Sequence, residues 1–465
     1  MVWKILERSS VQLISLVVQL VLARLIEPER FGSLSIILVF YNLADLLVQK
    51  GFGIALIRKE TISKHDIDSV FLLSSLLAIF GFTVIFVTAP CICIYYNDMT
   101  LLWPLRVMGG GLFLSPLYCV CNALLVREMQ FKLIFVRGLI ATTISGGVGI
   151  VMALRGADLW ALVGQMIMNQ FLLTVFMCCS TKYIGGFSFS KESVRQILGF
   201  GSKVLLTELL LTLLESIRSL LIGKVYSPED LAYYDRGQMY PATLMRAIYD
   251  TLFTTLVPYF AKIQNNYVEQ KQKYKLLLYY VCCVVFPVFL GLAAVSDNVI
   301  LLLLGDKWIR AVPYMQVFCI YQAVFPYQII SKAFLYAQGD SSQVLRLEMI
   351  KSGISFLLML LSFSFGPIYV AVSLILVRIV SDALYVHAVK HELGKMSVLR
   401  ITWKPMVSSL MMVIVVCLAG NLEMSNIVLL PARVLLGVLV YCAMMFVLDR
   451  NIFGSIKNVV GGYNK

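Results

Sequence analysis

Long apolar blocks, most of them about as long as a bilayer is thick, recur along the whole of this 465-residue chain, with short charged links between them. Runs such as Val11–Leu22 and Ile427–Val447 are sustained rather than alternating. Backbone exposed to lipid must satisfy its N–H and C=O groups internally, which leaves helices and closed barrels as spanning structures. A barrel reads as alternating segments of about ten residues, so the expected fold class is an all-α integral membrane protein. Composition agrees: 60% of residues are hydrophobic and 14% charged, against roughly 45–50% and about 25% in soluble domains.

The formal charge of +13 raises nucleic acid as a partner. The basic residues nevertheless lie in the links, without a dense cluster, as in the positive-inside bias of membrane proteins. No nucleic acid is expected. The eleven cysteines sit within or at the ends of apolar blocks, with no metal-ligand spacing, and read as free thiols. The block following Trp3–Arg8 lacks a small-residue cleavage pattern and reads as a signal anchor and first span.

About fourteen spans are expected, near 9–26, 33–56, 69–94, 101–125, 134–154, 158–178, 197–222, 238–260, 276–296, 309–337, 348–366, 368–388, 404–420 and 427–448. The fourth, eighth and tenth carry Pro104 and Pro116, Pro241 and Pro258, and Pro313 and Pro326, where kinks are expected. One alternate set of links, with both termini, holds about two dozen Lys and Arg, against fewer than ten on the other side. Both termini are therefore expected in the cytoplasm.

The chain repeats itself. Arg24, Pro28, Glu29 and Gly32 follow the first span; Lys224, Pro228, Glu229 and Ala232 follow the seventh, 200 residues later. Both copies fall on the same side, so the repeat is parallel, an arrangement that puts a transporter's substrate site between two six-span halves. The expected domains are a six-helix lobe at 1–182, a second at 183–395, and two additional helices with a tail at 396–465.

Catalytic chemistry has little support. The three histidines are His65, His387 and His391, and the i,i+4 pair lies at a helix end. No phosphate loop, nucleophile elbow or acidic metal cluster stands out, so neither an enzyme nor a metal site is expected. Charges inside spans carry more information, because they are costly in hydrocarbon. They are Asp45, Glu208, Glu215, Arg218, Arg246, Asp250, Lys332, Arg378 and Asp382. Glu215/Arg218, Arg246/Asp250 and Arg378/Asp382 are spaced to meet on one helix face. Each pair is either a packing ion pair or part of a polar cavity holding an anionic group; Asp45, Glu208 and Lys332 show no evident same-helix partner. The glycines at 109–111 and at 146, 147 and 149 suit close helix approach.

These residues resemble a known family, the Wzx-type polysaccharide flippases, relatives of the MATE exporters and lipid II flippases. The resemblance is nearly full length. It rests on Leu22–Leu25 with Pro28–Gly32, Gly51–Arg58, Leu159–Val163, Phe200-Gly201, Leu221–Lys224, Tyr233-Tyr234, Phe286-Pro287, Gly305–Trp308 and Ala311–Pro313. It implies two pseudo-symmetric six-helix bundles in a V around a central cavity, with two peripheral C-terminal helices. It also implies turning an undecaprenyl-diphosphate-linked oligosaccharide from the cytoplasmic to the periplasmic leaflet of the inner membrane, by alternating access. No cofactor is implied; coupling to a proton or sodium gradient stays open, as do membrane partners in polysaccharide assembly. Arg24 and Lys224 match family positions at the outer ends of spans, where gating, topology and binding are all open roles. Glu215 followed by Arg218 reverses the basic-then-acidic order the family suggests. Two other readings stand beside this one: a MATE-like exporter of small cations, and a polysaccharide polymerase or ligase. The longest outward link, 223–237, is short for the latter's periplasmic domain.

Overall fold

The computed structural model describes residues 2–58, 62–186, 215–394, 396–420 and 426–449, with single positions at 188, 205, 209, 212 and 213. Side chains are described from Val11 onward, except at 50, 51, 54, 55 and 58. Among the described residues there is no strand. The helices are α1 (Val2–Leu25), α2 (Pro28–Arg58), α3 (Lys64–Tyr96), α4 (Leu102–Gly110), α5 (Ser115–Arg127), α6 (Phe131–Leu154) and α7 (Leu159–Thr181). Residues 215–225 are helical (α8). Then come α9 (Pro228–Lys262), α10 (Tyr267–Ala294), α11 (Ser296–Leu303), α12 (Val312–Ala323), α13 (Pro326–Ala337), α14 (Ser341–Ser362), α15 (Pro367–Leu393), α16 (Val398–Ala419) and α17 (Asn426–Leu448). Among the described residues, nine helical segments are long and apolar enough to cross a membrane. Every expected span except 197–222 falls on a described helix or helix pair; most of 197–214 lies outside the described residues.

The prolines act in two ways. The fourth span breaks into α4 and α5 around a 3-10 turn at Gly111–Leu114, just before Pro116. The tenth breaks between α12 and α13, where Pro326 starts the new helix. A proline that opens a helix gives up an N–H that would have no partner anyway. By contrast, α9 runs unbroken through Pro241 and Pro258.

The chain divides into two compact units, Met1–Ala232 and Tyr233–Lys465. In the first, α6 packs on α1 and α7, and α2 on α3 and α5. Two of the glycines singled out above make these contacts close: a Cβ at Gly146 would fall 2.3 Å from a Val18 methyl, and one at Gly149 2.7 Å from the Gln165 Cβ. Gly147 meets nothing within 4 Å. Chain direction is set at helix ends. Ser63 caps α3 reciprocally with Asp66, and Asn97 closes its far end in a left-handed conformation with φ 56°. Asp68, buried, accepts a hydrogen bond from Tyr183 at 2.9 Å and another from Ser188, docking the segment after α7 onto α3. Burial, followed by that bond to the Asp68 carboxylate, raises the Tyr183 phenol above its ordinary range, which keeps it a donor.

In the second unit, α16 packs on α10 and α17, α14 on α15, and α10 on α12. Phe260, Tyr274, Phe289 and Phe334 lie fully buried in an apolar cluster of this unit. The eleven cysteines are free thiols, with Cys121 and Cys178 in sulfur contact at 3.5 Å.

The two copies of the repeat adopt the same local form. Each is a helix ending at 25 or 225, two non-helical residues, then a proline opening the next helix. The copies also touch: a Cβ on Gly32 would land 1.6 Å from the Pro228 carbonyl oxygen. That is backbone against backbone, with no flexible side chain to yield. Gly32→Ala is therefore expected to destabilise the protein by about 1–3 kcal/mol, the usual cost of overpacking. Thermal unfolding in detergent is the measurement, and Gly110→Ala, whose Cβ meets nothing within 4 Å, is the neutral control. Equal melting of the two variants rules the contact out.

Candidate functional site

Among the described residues, several helices fail the apolarity needed of a simple lipid-facing span: α9, α14, the α12–α13 pair and, by length, α1. Polar side chains on membrane helices face an interior or one another, so the site is sought on these helices and on α2.

In the first unit, Asn42, Asp45 and Gln49 stand three and four residues apart on α2, forming one polar face. Asp45 does have partners. Gln49, one turn on, donates its Nε2 to both carboxylate oxygens at 2.9 and 2.7 Å, and Ser115 of α5 donates at 2.5 Å. An amide at the i,i+4 position, rather than an opposite charge, is the same-helix partner. Lys224 lies over the Tyr95 ring at 4.6 Å and donates to the Tyr95 carbonyl, while Tyr96 donates to the Leu220 carbonyl at 3.0 Å. These contacts tie α8 to the end of α3. Glu215 is exposed, Arg218 half-buried, and no ion pair joins them among the described contacts. Glu208 lies outside the described residues.

Most of α9 belongs to the second unit; it starts 200 residues after α2 and likewise carries a polar stripe. Thr243, Arg246, Asp250 and Thr254 lie on one face. Arg246 and both threonines are exposed and Asp250 is half-buried. Thr243 and Thr254 bond carbonyls one turn back, each at 2.8 Å, which satisfies their hydroxyls within the helix. The expected Arg246/Asp250 ion pair is not among the described contacts, and Arg246 is exposed.

Behind α9 lies a polar hub centred on Glu348 of α14. Its Oε1 accepts from Lys332 at 3.0 Å, from Gln328 at 3.1 Å and from Tyr385 at 2.9 Å; its Oε2 accepts from Lys351 at 3.2 Å. One carboxylate thus joins α13, α14 and α15. Lys332, which lacked a same-helix partner by sequence, finds its counter-charge across the helix interface. Gln328 extends the network, accepting at its other end from Arg378 of α15. The Arg378 guanidinium is held between the rings of Tyr321 and Phe325, at 4.1 and 4.0 Å, a cation–π arrangement strengthened by exclusion of water. Arg378 therefore pairs with Gln328 and two aromatic rings, not with Asp382 one turn away. Asp382 is 4% exposed, and neither of its carboxylate oxygens has a hydrogen-bond partner.

Two further charged side chains form such networks without standing among the sequence-expected residues. Glu348 sits where the link 338–351 overlaps the expected span 348–366, so hydropathy alone does not mark it as a charge inside a span. Arg433 lies inside the last span, and the criterion that found Lys332 applies to it equally. It is 4% exposed and donates to Asp297 at 3.1 and 3.2 Å, to Asn298, to the Ala294 carbonyl at 2.7 Å and to the Val416 carbonyl at 3.2 Å. It fastens α17 to α11, α10 and α16.

Residues 21–313 match the family described as "Polysaccharide biosynthesis protein". Among curated proteins, the chain is 25% identical over 313 residues to the lipopolysaccharide biosynthesis protein WzxC of Escherichia coli (strain K12), covering 66% of this chain and 63% of that one. It is 21% identical over 316 residues to the succinoglycan biosynthesis transport protein ExoT of Rhizobium meliloti (strain 1021), covering 67% and 63%. The chain thus spans a little under two thirds of the length of these relatives. Among solved structures, the lipid II flippase MurJ in an inward closed conformation superposes with a TM-score of 0.77 at 14% identity, covering 97% of this chain and all of that one. An inward-facing multidrug resistance MATE family transporter of the MOP superfamily superposes with 0.61 at 14% identity, covering 84% and 98%. The many membrane-spanning helices, the polar faces held within them and the family match over 21–313 lead to one conclusion: the chain belongs to the polysaccharide biosynthesis protein family, as a multi-span membrane protein.

Proposed function

We propose that this protein turns a lipid-linked oligosaccharide, an undecaprenyl-diphosphate repeat unit, from the cytoplasmic to the periplasmic leaflet of the inner membrane, as a transporter and not an enzyme. The observation that carries the reading is the exposed polar stripe on α9, with Arg246 exposed and in no described ion pair on its own helix. Such a face is costly against hydrocarbon and suits a watered path for a diphosphate and sugars, while the lipid tail stays in the bilayer. The lobes at 1–182 and 183–395, forming a V that opens to alternate sides, with 396–465 peripheral and both termini cytoplasmic, complete the proposal. Functional analogy to WzxC and ExoT supports it.

Coupling to an ion gradient is assigned to Asp382. A buried carboxyl without a hydrogen-bond partner is stable when neutral and costly when charged, so taking up or losing a proton there changes what the α15 packing tolerates. Asp382→Asn is expected to leave folding intact and to make transport insensitive to a proton gradient in proteoliposomes. Transport by Asp382→Asn that still follows the gradient removes Asp382 from the coupling.

The reading itself is tested by deleting the gene in its host and measuring lipid-linked oligosaccharide by leaflet. Completed units are expected to accumulate on the cytoplasmic face, to be cleared by the wild-type gene, and to persist with Arg246→Ala at about a tenth of wild-type rate or less. Normal crossing combined with raised susceptibility to cationic drugs replaces the flippase with a MATE-like exporter.

A further inference from the structure

Where α10 and α16 begin and α17 ends, the second unit holds a cavity of about 300 Å³ lined by Tyr279, Tyr280, Arg400, Lys404 and Asp449, with Leu276 and Ile401 at its apolar edge. Ser397 caps α16, and Arg400 and Lys404 stand one turn apart on it, so both cations reach the same side. Asp449 is already occupied: Tyr279 donates to it at 2.6 Å and Lys404 pairs with it at 3.3 Å. The Arg400 side chain is exposed and makes no described contact, and the Tyr280 hydroxyl is likewise without a described partner. Among the described residues the cavity thus holds two cations against one anion, and the Arg400 guanidinium and the Tyr280 hydroxyl make no described contact there.

Its surroundings decide what could fill it. Leu276, Leu399, Trp403, Met406 and Val407 are exposed beside it on α10 and α16. Trp403 lies near the N-terminal end of α16, and tryptophans near span ends commonly anchor helices at the interface. Lys271, Lys273 and Lys275 occupy the first turns of α10 at the same end of the unit. A basic pocket between transmembrane helices at the polar boundary, opening onto an apolar surface, has the composition of a lipid headgroup site. Arginine's planar fork matches phosphate oxygens in pairs.

We infer that this cavity binds the phosphate of an anionic membrane lipid, with Arg400 as the principal contact, Lys404 and Tyr280 assisting, and the acyl chains lying along Leu276, Ile401 and Trp403. The site is remote in sequence from the α9 stripe and from the Glu348 hub, and it does not depend on what the protein transports.

The test uses the full chain, purified and offered phosphatidylglycerol or phosphatidylcholine, with retained lipid counted by native mass spectrometry. Wild type is expected to keep phosphatidylglycerol over phosphatidylcholine by at least fivefold. Arg400→Ala, which leaves the Lys404–Asp449 pair intact, is expected to lose most of that preference. Lys273→Ala, basic and at the same end but outside the cavity, is expected to keep it. Displacement of the lipid by millimolar inorganic phosphate, or equal binding of a soluble glycerophosphodiester without acyl chains, assigns the site to a soluble phosphate and overturns the lipid. An unchanged preference in Arg400→Ala, or an equal loss in Lys273→Ala, overturns the site.

Discussion

Glu348→Ala is expected to abolish transport and to lower the stability of the second unit. The substitution removes four acceptor contacts at once and leaves Lys332 and Lys351 facing each other without the carboxylate that holds both. Their side chains are 21% and 25% exposed, so water reaches them only in part. Breaking a buried pair by removing one partner costs about 3–5 kcal/mol, and the partial exposure puts the expected loss toward the lower figure. Glu348→Gln keeps the shape and part of the hydrogen bonding and is expected to fall between. Lys332→Met combined with Glu348→Leu replaces the pair by apolar groups and is expected to restore much of the thermal stability but no transport. The measurements are melting of the detergent-solubilised protein and complementation of a deletion strain. A Glu348→Ala protein that melts and complements as wild type would falsify the hub.

Arg433→Ala has an expected effect of similar size on stability and none specific to substrate. The guanidinium serves Asp297, Asn298 and two main-chain carbonyls on three different elements. Space for it is reserved: a Cβ on Gly420 would lie 2.9 Å from Nη2. Asn298 is buried, whereas Asp297 is 47% exposed and regains water; leaving a buried acceptor unsatisfied costs about 1–3 kcal/mol, so a loss of about 3 kcal/mol, read as a lowered melting temperature, is expected. Arg433→Lys has three donors but no planar fork and recovers only part of it. A drop confined to transport, with unchanged melting, contradicts the clamp.

Between them these residues mark how far the sequence could be read. Long apolar runs announced helices because a span must be apolar along its length, a property of consecutive residues. The repeat at Arg24 and Lys224 was legible because like sequences take like local form, and both copies end one helix and open the next with proline. The charged positions Asp45, Lys332, Arg378 and Asp382 were found because charge in a span is costly wherever it points. Their partners were not. Asp45 is served by Gln49 and Ser115, Lys332 by Glu348, and Arg378 by Gln328 and two rings. The rule of i,i+4 charge pairs anticipated ion pairs within single helices, and among the described contacts neither Arg246/Asp250 nor Arg378/Asp382 forms one.

The amino-acid sequence alone determined that the chain is helical, that it lives in lipid, where most spans fall and which of them carry charge, because each of these follows from residues near one another along the chain. Tertiary structure alone decided which charge meets which, that Gly32 lies against Pro228, that one carboxylate at Glu348 joins three helices and that Arg433 holds the last helix in place. Lipid offers almost no hydrophobic drive for one helix to seek another, so their arrangement rests on close packing and a few polar contacts. Those depend on side-chain direction across interfaces, which spacing within one helix does not record.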